Sequence, residues 1–191
     1  LAAPAAGTGS DTYVYDPADP VLSLVEPDGQ AAACDQAPLH ARRDILVYQT
    51  APLEEDVVLA GPLSCTLWIR SDAPDTDFVA RLIEVGADGL AINISHGILR
   101  CRYRMGFDSE VMLEPEMPTE ITITMLPVGI RFRRGSRLRL DITSSDFPTF
   151  DRNHNTGRRF YDDRELRVAR QTILHGEDYP SRILLPVLAD A

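Results

Sequence analysis

Several features that would assign a function directly are missing from this sequence. It contains no Gly-x-Ser-x-Gly motif, so it lacks the strained strand–turn–helix corner that presents the nucleophile of an α/β-hydrolase. No apolar run approaches the roughly 18–20 residues that span a bilayer as a helix. The cysteines Cys34, Cys65 and Cys101 are odd in number and have no Cys-x-x-Cys spacing. A disulfide framework and a zinc site of that kind are therefore not expected.

Lysine is absent as well, and acidic residues outnumber basic ones. The 19 basic residues are all arginine and stand against 29 aspartates and glutamates, which gives a formal net charge of −10. Such a charge disfavours nucleic acid and anionic membrane surfaces as partners. A hydrophobic fraction of 44% over 191 residues is enough for one domain with its own core.

Two of the cysteines are predicted to belong to that core. Cys65 alternates with Leu63 and Leu67, and Cys101 alternates with Leu99 and Tyr103, so each shares the apolar side of a predicted strand. Buried thiols slightly favour a cytoplasmic location, without excluding export.

Short runs of strand-forming residues recur along the chain with a turn about every ten residues. This pattern is typical of an all-β sandwich or barrel with little helix. Residues 1–11 are rich in Ala, Pro, Gly, Thr and Ser and indicate a linker or lead-in, and residues 12–191 indicate a single domain. Residues 162–174 fit a helix and an extended conformation about equally well. Strands are predicted over residues 12–15, 44–50, 57–60, 63–71, 78–85, 90–95, 98–105, 121–126, 137–143 and 183–188.

Two polar features stand out, a row of arginines in one predicted strand and a polar loop that follows another. In 98–105, Arg100, Arg102 and Arg104 share one face, and they are expected to pair with carboxylates of a neighbouring strand or domain. Strand 137–143 runs into a polar loop, 144–157, in which Pro148 and several Asp, Asn and Gly residues exclude regular structure. Such a loop is either a functional site or a heavily hydrogen-bonded corner.

Seven segments, taken in order, resemble one known domain. They are residues 12–21, 42–48, 61–68, 71–82, 97–104, 144–157 and 180–187. Together they resemble the carboxy-terminal domain of the hydrolases that include Xaa-Pro dipeptidyl-peptidases, cocaine esterase and α-amino-acid ester hydrolases, the CocE/NonD-type family. The resemblance runs from about residue 12 to 188. Ser136 stands where many relatives have histidine, and the 22–35 connection is shorter than in some relatives.

The resemblance implies a jelly-roll β-sandwich, similar to galactose-binding domains, and an upstream α/β-hydrolase domain with a Ser-His-Asp triad as its partner. A chain that begins at Leu1 rather than methionine is consistent with a piece of a longer protein. The expected function is that of a non-catalytic accessory domain. It would pack on the catalytic domain of a serine hydrolase for esters, amides or Xaa-Pro peptides, and help to wall its active site. A homo-oligomer is possible; no cofactor and no metal are expected.

Site residues follow from the same reasoning. Leu22, Ser23, Leu24 and Val25 are expected to lie nearest the substrate or domain interface, together with Trp68. The 144–157 loop is expected to be structural. Its key residues would be Asp146, Phe147, Phe150, Arg152, Asn153 and Asn155.

Alternative interpretations remain for three groups of residues. A carbohydrate-binding module would use Trp68 as a stacking platform. A free-standing hydrolase would use Ser144 or Ser145 with Asp151 and His154, which the resemblance disfavours. The closely spaced Asp72, Asp75 and Asp77 suggest either a calcium loop or, preferably, a corner in which the carboxylates bond to nearby backbone N–H groups.

Overall fold

A computed structural model describes residues 9–24, 34–159 and 161–188 of the chain. Within these residues, helical structure is limited to the 3₁₀ turns Ala37–Leu39 and Cys101–Tyr103, and no helix could cross a membrane. The strands are β1 (Gly9–Tyr15), β2 (Leu46–Gln49), β3 (Val57–Ser71), β4 (Asp77–Val85), β5 (Ala91–Arg100), β6 (Thr119–Phe132), β7 (Arg137–Thr143), β8 (Ala169–His175) and β9 (Arg182–Leu184).

The strands form two antiparallel sheets that pack face to face. One sheet has the order β1-β8-β3-β6 and the other has the order β2-β7-β4-β5. This is the order of an eight-stranded jelly roll, in which two Greek keys fold over each other. The extra strand β9 pairs with β3 over Ser64–Thr66, next to the stretch where β3 pairs with β8. The predicted all-β jelly-roll sandwich is confirmed.

The core lies between the inner faces of the two sheets, where every second residue of a strand points inward. On β3 the buried set includes Leu63, Cys65 and Leu67, as the alternation predicted. Cys101 is fully buried as well. Burial raises the pKa of the Cys65 thiol to about 12, because the thiolate would be stranded away from water.

Prolines end fewer strands than the sequence suggests. The runs 57–60 and 63–71 are one strand, β3, and the pairing register with β6 shifts between Gly61 and Leu63. This bulge takes up Pro62 and the facing Pro127, so β6 also continues to Phe132. Since β6 is an edge strand of its sheet, the missing N–H donor of a proline is tolerated there.

The prediction of a continuous strand over 98–105 is wrong beyond Arg100. The carboxylate of Asp75 accepts the backbone N–H of Arg102 at 2.8 Å, and the N–H of Cys101 bonds to the carbonyl of Thr76 at 2.9 Å. These bonds use the donors that a sheet partner would need, and the chain turns into the 3₁₀ turn. The arginines therefore do not form one stripe, and Arg102 is buried.

Of the two interpretations of residues 162–174, the extended one is correct, and the helix is not formed. Residues 162–168 have no regular structure, and β8 begins at Ala169. Its alternating burial, with Ala169, Gln171 and Ile173 inward, is that of a strand between β1 and β3.

The outer face of the second sheet is covered by the β1–β2 connection. Val21, Leu39 and Ile45 of that connection form a small second core. β4 is consequently buried on both faces, as its apolar sequence predicted. The polar face of β7 is buried too. Arg139 on this face donates two hydrogen bonds to the carboxylate of Asp141, and its guanidinium lies 2.6 Å from the Nε2 of His40.

Four connections meet at one end of the sandwich, because each leads from an odd-numbered strand to the next even-numbered one in this topology. They are the β1–β2, β3–β4, β5–β6 and β7–β8 connections, and we refer to them as the loop end. Leu113 in the β5–β6 connection donates to the Pro74 carbonyl of β3–β4 at 2.8 Å. Arg152 in β7–β8 donates to the Pro17 carbonyl of β1–β2 at 2.9 Å.

A glycine of β5 that lies close against β6 of the other sheet gives a stability prediction. A Cβ at Gly97 would lie inside van der Waals contact of the Thr124 carbonyl oxygen, and 3.0 Å from the Ile123 methyl carbon. Gly97→Ala is therefore expected to lower the free energy of unfolding by at least about 2 kcal/mol, since backbone must move. Urea denaturation measures the loss. Gly129→Ala is the matched control, because nothing lies within 4 Å of its Cβ position; an equal loss there would contradict the argument.

Candidate functional site

The centre of the loop end is a pair of fully buried aspartates at the start of β4. Asp75 and Asp77 are bridged by one amide group, because the Nδ2 of Asn153 donates to both carboxylates at 2.7 Å. Asn153 also accepts the N–H of Asn155 at 2.9 Å. The polar β7–β8 loop is thus attached to the β3–β4 connection through charged acceptors, which form stronger hydrogen bonds than neutral ones.

Two arginines neutralise these carboxylates. Arg100 makes two hydrogen bonds of 3.0 Å to Asp77, its cross-strand partner, and Arg102 donates to Asp75 at 2.9 Å. The expected pairing with a neighbouring strand is therefore confirmed for Arg100. Burial raises the pKa of Asp77, and the arginine and asparagine bonds oppose that rise. Arg104 differs from the other two, because it donates to the carbonyls of Cys101 and Met112.

The first half of the 144–157 loop is held by the β1–β2 connection. Phe147 exchanges backbone bonds with Val21 at 3.0 Å and Ser23 at 2.7 Å. Asp146 forms a buried ion pair of 2.8 Å with Arg81 of β4. The Ser23 hydroxyl donates to the Asp146 carbonyl at 2.9 Å. The loop and the segment 21–23 therefore form one packed unit.

The second half of the loop is held by side chains. The Arg152 guanidinium lies 5.8 Å from the centre of the Phe147 ring, within range of a cation–π contact. The Phe150 ring meets His96 edge to face at 6.2 Å. Asn155 adopts a left-handed conformation, with φ of 63°, and donates to the Arg167 carbonyl at 2.8 Å. Asparagine is among the residues that tolerate this backbone region.

The suggested serine, histidine and aspartate of a hydrolase are not brought together. Ser144 is fully buried and shares a 2.8 Å hydrogen bond with the Tyr13 hydroxyl. Ser145 accepts the N–H of Val21 at 2.8 Å. The Nδ1 of His154 faces Asp163 at 3.9 Å instead. Within the described residues neither serine bonds to His154, so the geometry needed to activate a nucleophile is not formed.

The suggested calcium loop has no vacant carboxylates at its centre. Asp75 and Asp77 are occupied by arginine and asparagine donors, and Asp72 accepts the N–H of Arg170 at 2.9 Å. In the part of the chain that the structure describes, no three His, Cys, Asp or Glu residues come together in a way that suits a metal ion. The preferred corner interpretation is right that the aspartates bond within the fold. The partners of Asp77 are side chains, however, rather than backbone N–H groups.

The expected interface residues lie in two places. Leu22 is half exposed at the loop end, and Ser23 and Leu24 are partly buried beside it. Val25 lies outside the described residues. Trp68 is on the outer face of β3, where it is partly buried and packs at 59° against Tyr179 with the ring centres 5.4 Å apart.

A polar cleft of about 380 Å³ opens beside the aspartate network. Sequence reasoning missed this cleft, since its walls come from the β5–β6 and β7–β8 connections, which are far apart in the chain. It also missed Arg81 and Asp163. The sequence does contain a signal for Arg81. It lies in the middle of an apolar strand, and a buried arginine requires an acidic partner. The cleft is lined by Arg100, Arg102, Tyr103, Glu110, Asp151, Asn153, His154, Arg158, Arg159, Tyr161 and Asp163.

The jelly-roll topology defines the class of the chain as a β-sandwich domain, in which the polar residues described above bond within the fold. A family model described as the X-Pro dipeptidyl-peptidase C-terminal non-catalytic domain matches residues 1–184. The chain belongs to this family, and the resemblance seen in the sequence is confirmed.

Individual relatives agree with this assignment. The chain is 40% identical over 189 residues to the cocaine esterase of Rhodococcus sp. (strain MB1 Bresler), and the match covers 95% of this chain and 33% of the esterase. An aminopeptidase from a marine sediment archaeon, Thaumarchaeota archaeon, superposes with a TM-score of 0.91 at 30% identity, over 97% of this chain and 34% of that one. An α-amino acid ester hydrolase gives a TM-score of 0.85 at 28% identity, over 94% and 33% of the two chains. The chain spans about a third of the length of these proteins.

Proposed function

We propose that this domain packs on an upstream α/β-hydrolase catalytic domain and forms part of the wall of its active site, with Leu22–Val25 as the segment nearest the substrate. The observation that carries the proposal is the match to a non-catalytic domain over residues 1–184, in a chain that spans only a third of its relatives. The intact protein would hydrolyse esters, amides or Xaa-Pro peptides through an acyl-enzyme on a serine outside these residues.

The geometry of the 21–24 segment supports its role as a wall. Leu22 pairs with Phe147 through a parallel bridge, and the backbone of Ser23 bonds to the Phe147 carbonyl at 2.7 Å. The Leu22 side chain is nevertheless 52% exposed. A fixed backbone that presents an apolar side chain is suited to define the shape of a pocket, because little conformational freedom is lost when substrate binds.

The same contacts support a structural role for the polar loop. We propose that Asp146, Phe147, Phe150, Arg152, Asn153 and Asn155 hold the 21–24 segment and the β3–β4 connection in place. Trp68 is proposed as a second contact with the upstream domain, on the outer face of the first sheet. Assembly into a homo-oligomer stays a prediction.

Leu22→Ala in the intact protein tests the proposed wall. We expect kcat/KM for an ester with a bulky apolar acyl group to fall about tenfold, because the pocket loses apolar contact. The unfolding midpoint should stay unchanged, since the side chain is half exposed. Steady-state kinetics across esters of increasing acyl size measures the effect.

Leu184→Ala is the matched control for this experiment. Leu184 is 67% exposed on β9, away from the loop end, and its substitution should leave every kinetic constant unchanged. If the two variants have the same kinetics, Leu22 does not contact substrate and the proposed wall lies elsewhere.

A further inference from the structure

We propose that the first part of the β5–β6 connection, residues 101–113, is the docking surface for the upstream catalytic domain. This inference deepens the proposed function and rests on it. Phe107 is 87% exposed and Met105 is 75% exposed, and their neighbours Val111 and Met112 are exposed as well. We call these four side chains the apolar patch. Several exposed apolar side chains on one short segment of a folded domain point to a site of interaction.

The patch stands on an ordered backbone. The N–H of Val111 bonds to the Arg102 carbonyl at 2.8 Å, which closes the loop at its base. Leu113 is buried and donates to the Pro74 carbonyl at 2.8 Å. The fold therefore holds the apolar side chains outward, instead of leaving them on a loose loop that could turn them into the core.

The two arginines nearby, Arg102 and Arg104, are directed into the domain, whereas Asp108 beside Phe107 is exposed. Arg104 donates to the carbonyls of Cys101 and Met112, and Arg102 is paired with Asp75. Tyr103 stacks within 5.6 Å of the Phe107 ring and donates its hydroxyl to Glu110 at 3.0 Å. Because these polar groups are already bonded, covering the patch would desolvate apolar surface without breaking an ion pair.

The occupant is indicated by the length of chain outside the structure. The relatives are about three times as long as this chain, and the family model describes its domain as C-terminal, so the proposed upstream domain would have about twice the length of this chain. Such a body has a radius of gyration of about 21 Å. β1 begins at Gly9, at the end of the sandwich opposite the loop end, and its seven residues span about 23 Å. The upstream body is therefore large enough to lie alongside the sandwich and cover the patch.

Hydroxyl-radical footprinting of the intact protein tests this docking. If the patch is covered, Phe107 and Met105 should be modified about tenfold more slowly than their exposure in this domain dictates, because oxidation follows exposure. Leu184, 67% exposed on β9, is the internal control and should react in proportion to its exposure. Cross-links from a photoreactive residue at position 107 should fall in the upstream part of the same polypeptide.

Each other outcome overturns a defined statement. Full reactivity at Phe107 and Met105, with protection elsewhere on this domain, overturns the docking surface and leaves the proposed function intact. Protection nowhere on this domain overturns both. Protection that disappears on dilution, with cross-links between copies, assigns the patch to a second copy of the chain and overturns the docking to the upstream domain.

A substitution gives an independent readout. Phe107→Asp should lower the melting temperature of the intact protein by about 3 °C or more and raise the oxidation rate of Met105, because the interface would have to bury a carboxylate. Leu184→Asp should do neither. Equal behaviour of the two variants would overturn the docking surface.

Discussion

The domain is expected to lose its fold steeply in alkaline solution, beginning above pH 9 and faster above pH 10. Four buried acids cause this behaviour, namely the thiols of Cys65 and Cys101 and the phenols of Tyr13 and Tyr15. Burial raises the pKa of both thiols above their ordinary value of 9.0, and raises the pKa of both phenols above 10.0. Hydrogen bonding does not reverse the effect at Tyr13, although Ser144 partly opposes it.

The direction follows from proton linkage. The folded state holds these protons more tightly than the unfolded chain, so the stability that they contribute is complete below the unfolded pKa and falls as the pH rises past it. Each group removes about 1.4 kcal/mol for each pH unit above its unfolded pKa. With all four titrating, the slope above pH 10 is about 5 kcal/mol per unit, which is comparable with the whole stability of a domain.

Urea denaturation at a series of pH values, with tyrosinate absorbance recorded in parallel, measures this slope. The tyrosinate absorbance contributed by the buried Tyr13 and Tyr15 should appear together with unfolding rather than before it. Cys65→Ala is the useful variant, because it costs stability by a pH-independent amount but flattens the slope between pH 9 and 10. If Cys65→Ala has the slope of the original protein, this thiol does not contribute to the alkaline transition.

Asn153→Ala is expected to lower the free energy of unfolding by about 3–5 kcal/mol, a large effect for a loop residue. The substitution removes one donor from each of two fully buried carboxylates, Asp75 and Asp77, and removes the acceptor of the Asn155 N–H. Asn153→Asp should be at least as harmful, since it sets a third carboxylate against the other two.

Arg152→Ala is the control for this loop. Arg152 is only partly buried, so its loss should cost about 1 kcal/mol, the value of one hydrogen bond to the Pro17 carbonyl. Chemical denaturation of each variant gives the comparison. Unchanged stability for Asn153→Ala, together with lost hydrolysis in the intact protein, would return the 144–157 loop to the active site.

The strands were largely predictable because their alternation reflects burial on one face. β7 has the bounds read from the sequence, Arg137–Thr143, and the apolar series around Cys65 points inward as expected. The failures occurred where a distant group competes for the backbone. Arg102 fits the alternation of a strand, yet its backbone N–H donates to the carboxylate of Asp75, which lies in the β3–β4 connection. Such a contact between residues 27 positions apart leaves no local pattern.

The candidate site was less predictable, because the sequence does not distinguish a polar residue that binds a ligand from one that bonds to other residues of the domain. The two aspartates suggested calcium, and the loop serine and histidine suggested catalysis. Only the packing shows that Arg100 bonds to Asp77 on the adjacent strand and that Ser144 bonds to Tyr13. The exposed Phe107 carried no signal in the sequence, since nothing local distinguishes it from a core aromatic residue.

The pairing of β1 with β8 has a consequence for synthesis on the ribosome. In the described part of the chain β8 is the sheet partner of β1, and Gly9 lies opposite His175. Translation at about 5–20 residues per second therefore leaves β1 waiting roughly 8–33 s for its partner. During that interval the strand exposes unpaired N–H and C=O groups. We expect nascent-chain folding to be completed only after residue 175 has left the exit tunnel, and premature termination before β8 to yield a chain prone to aggregation.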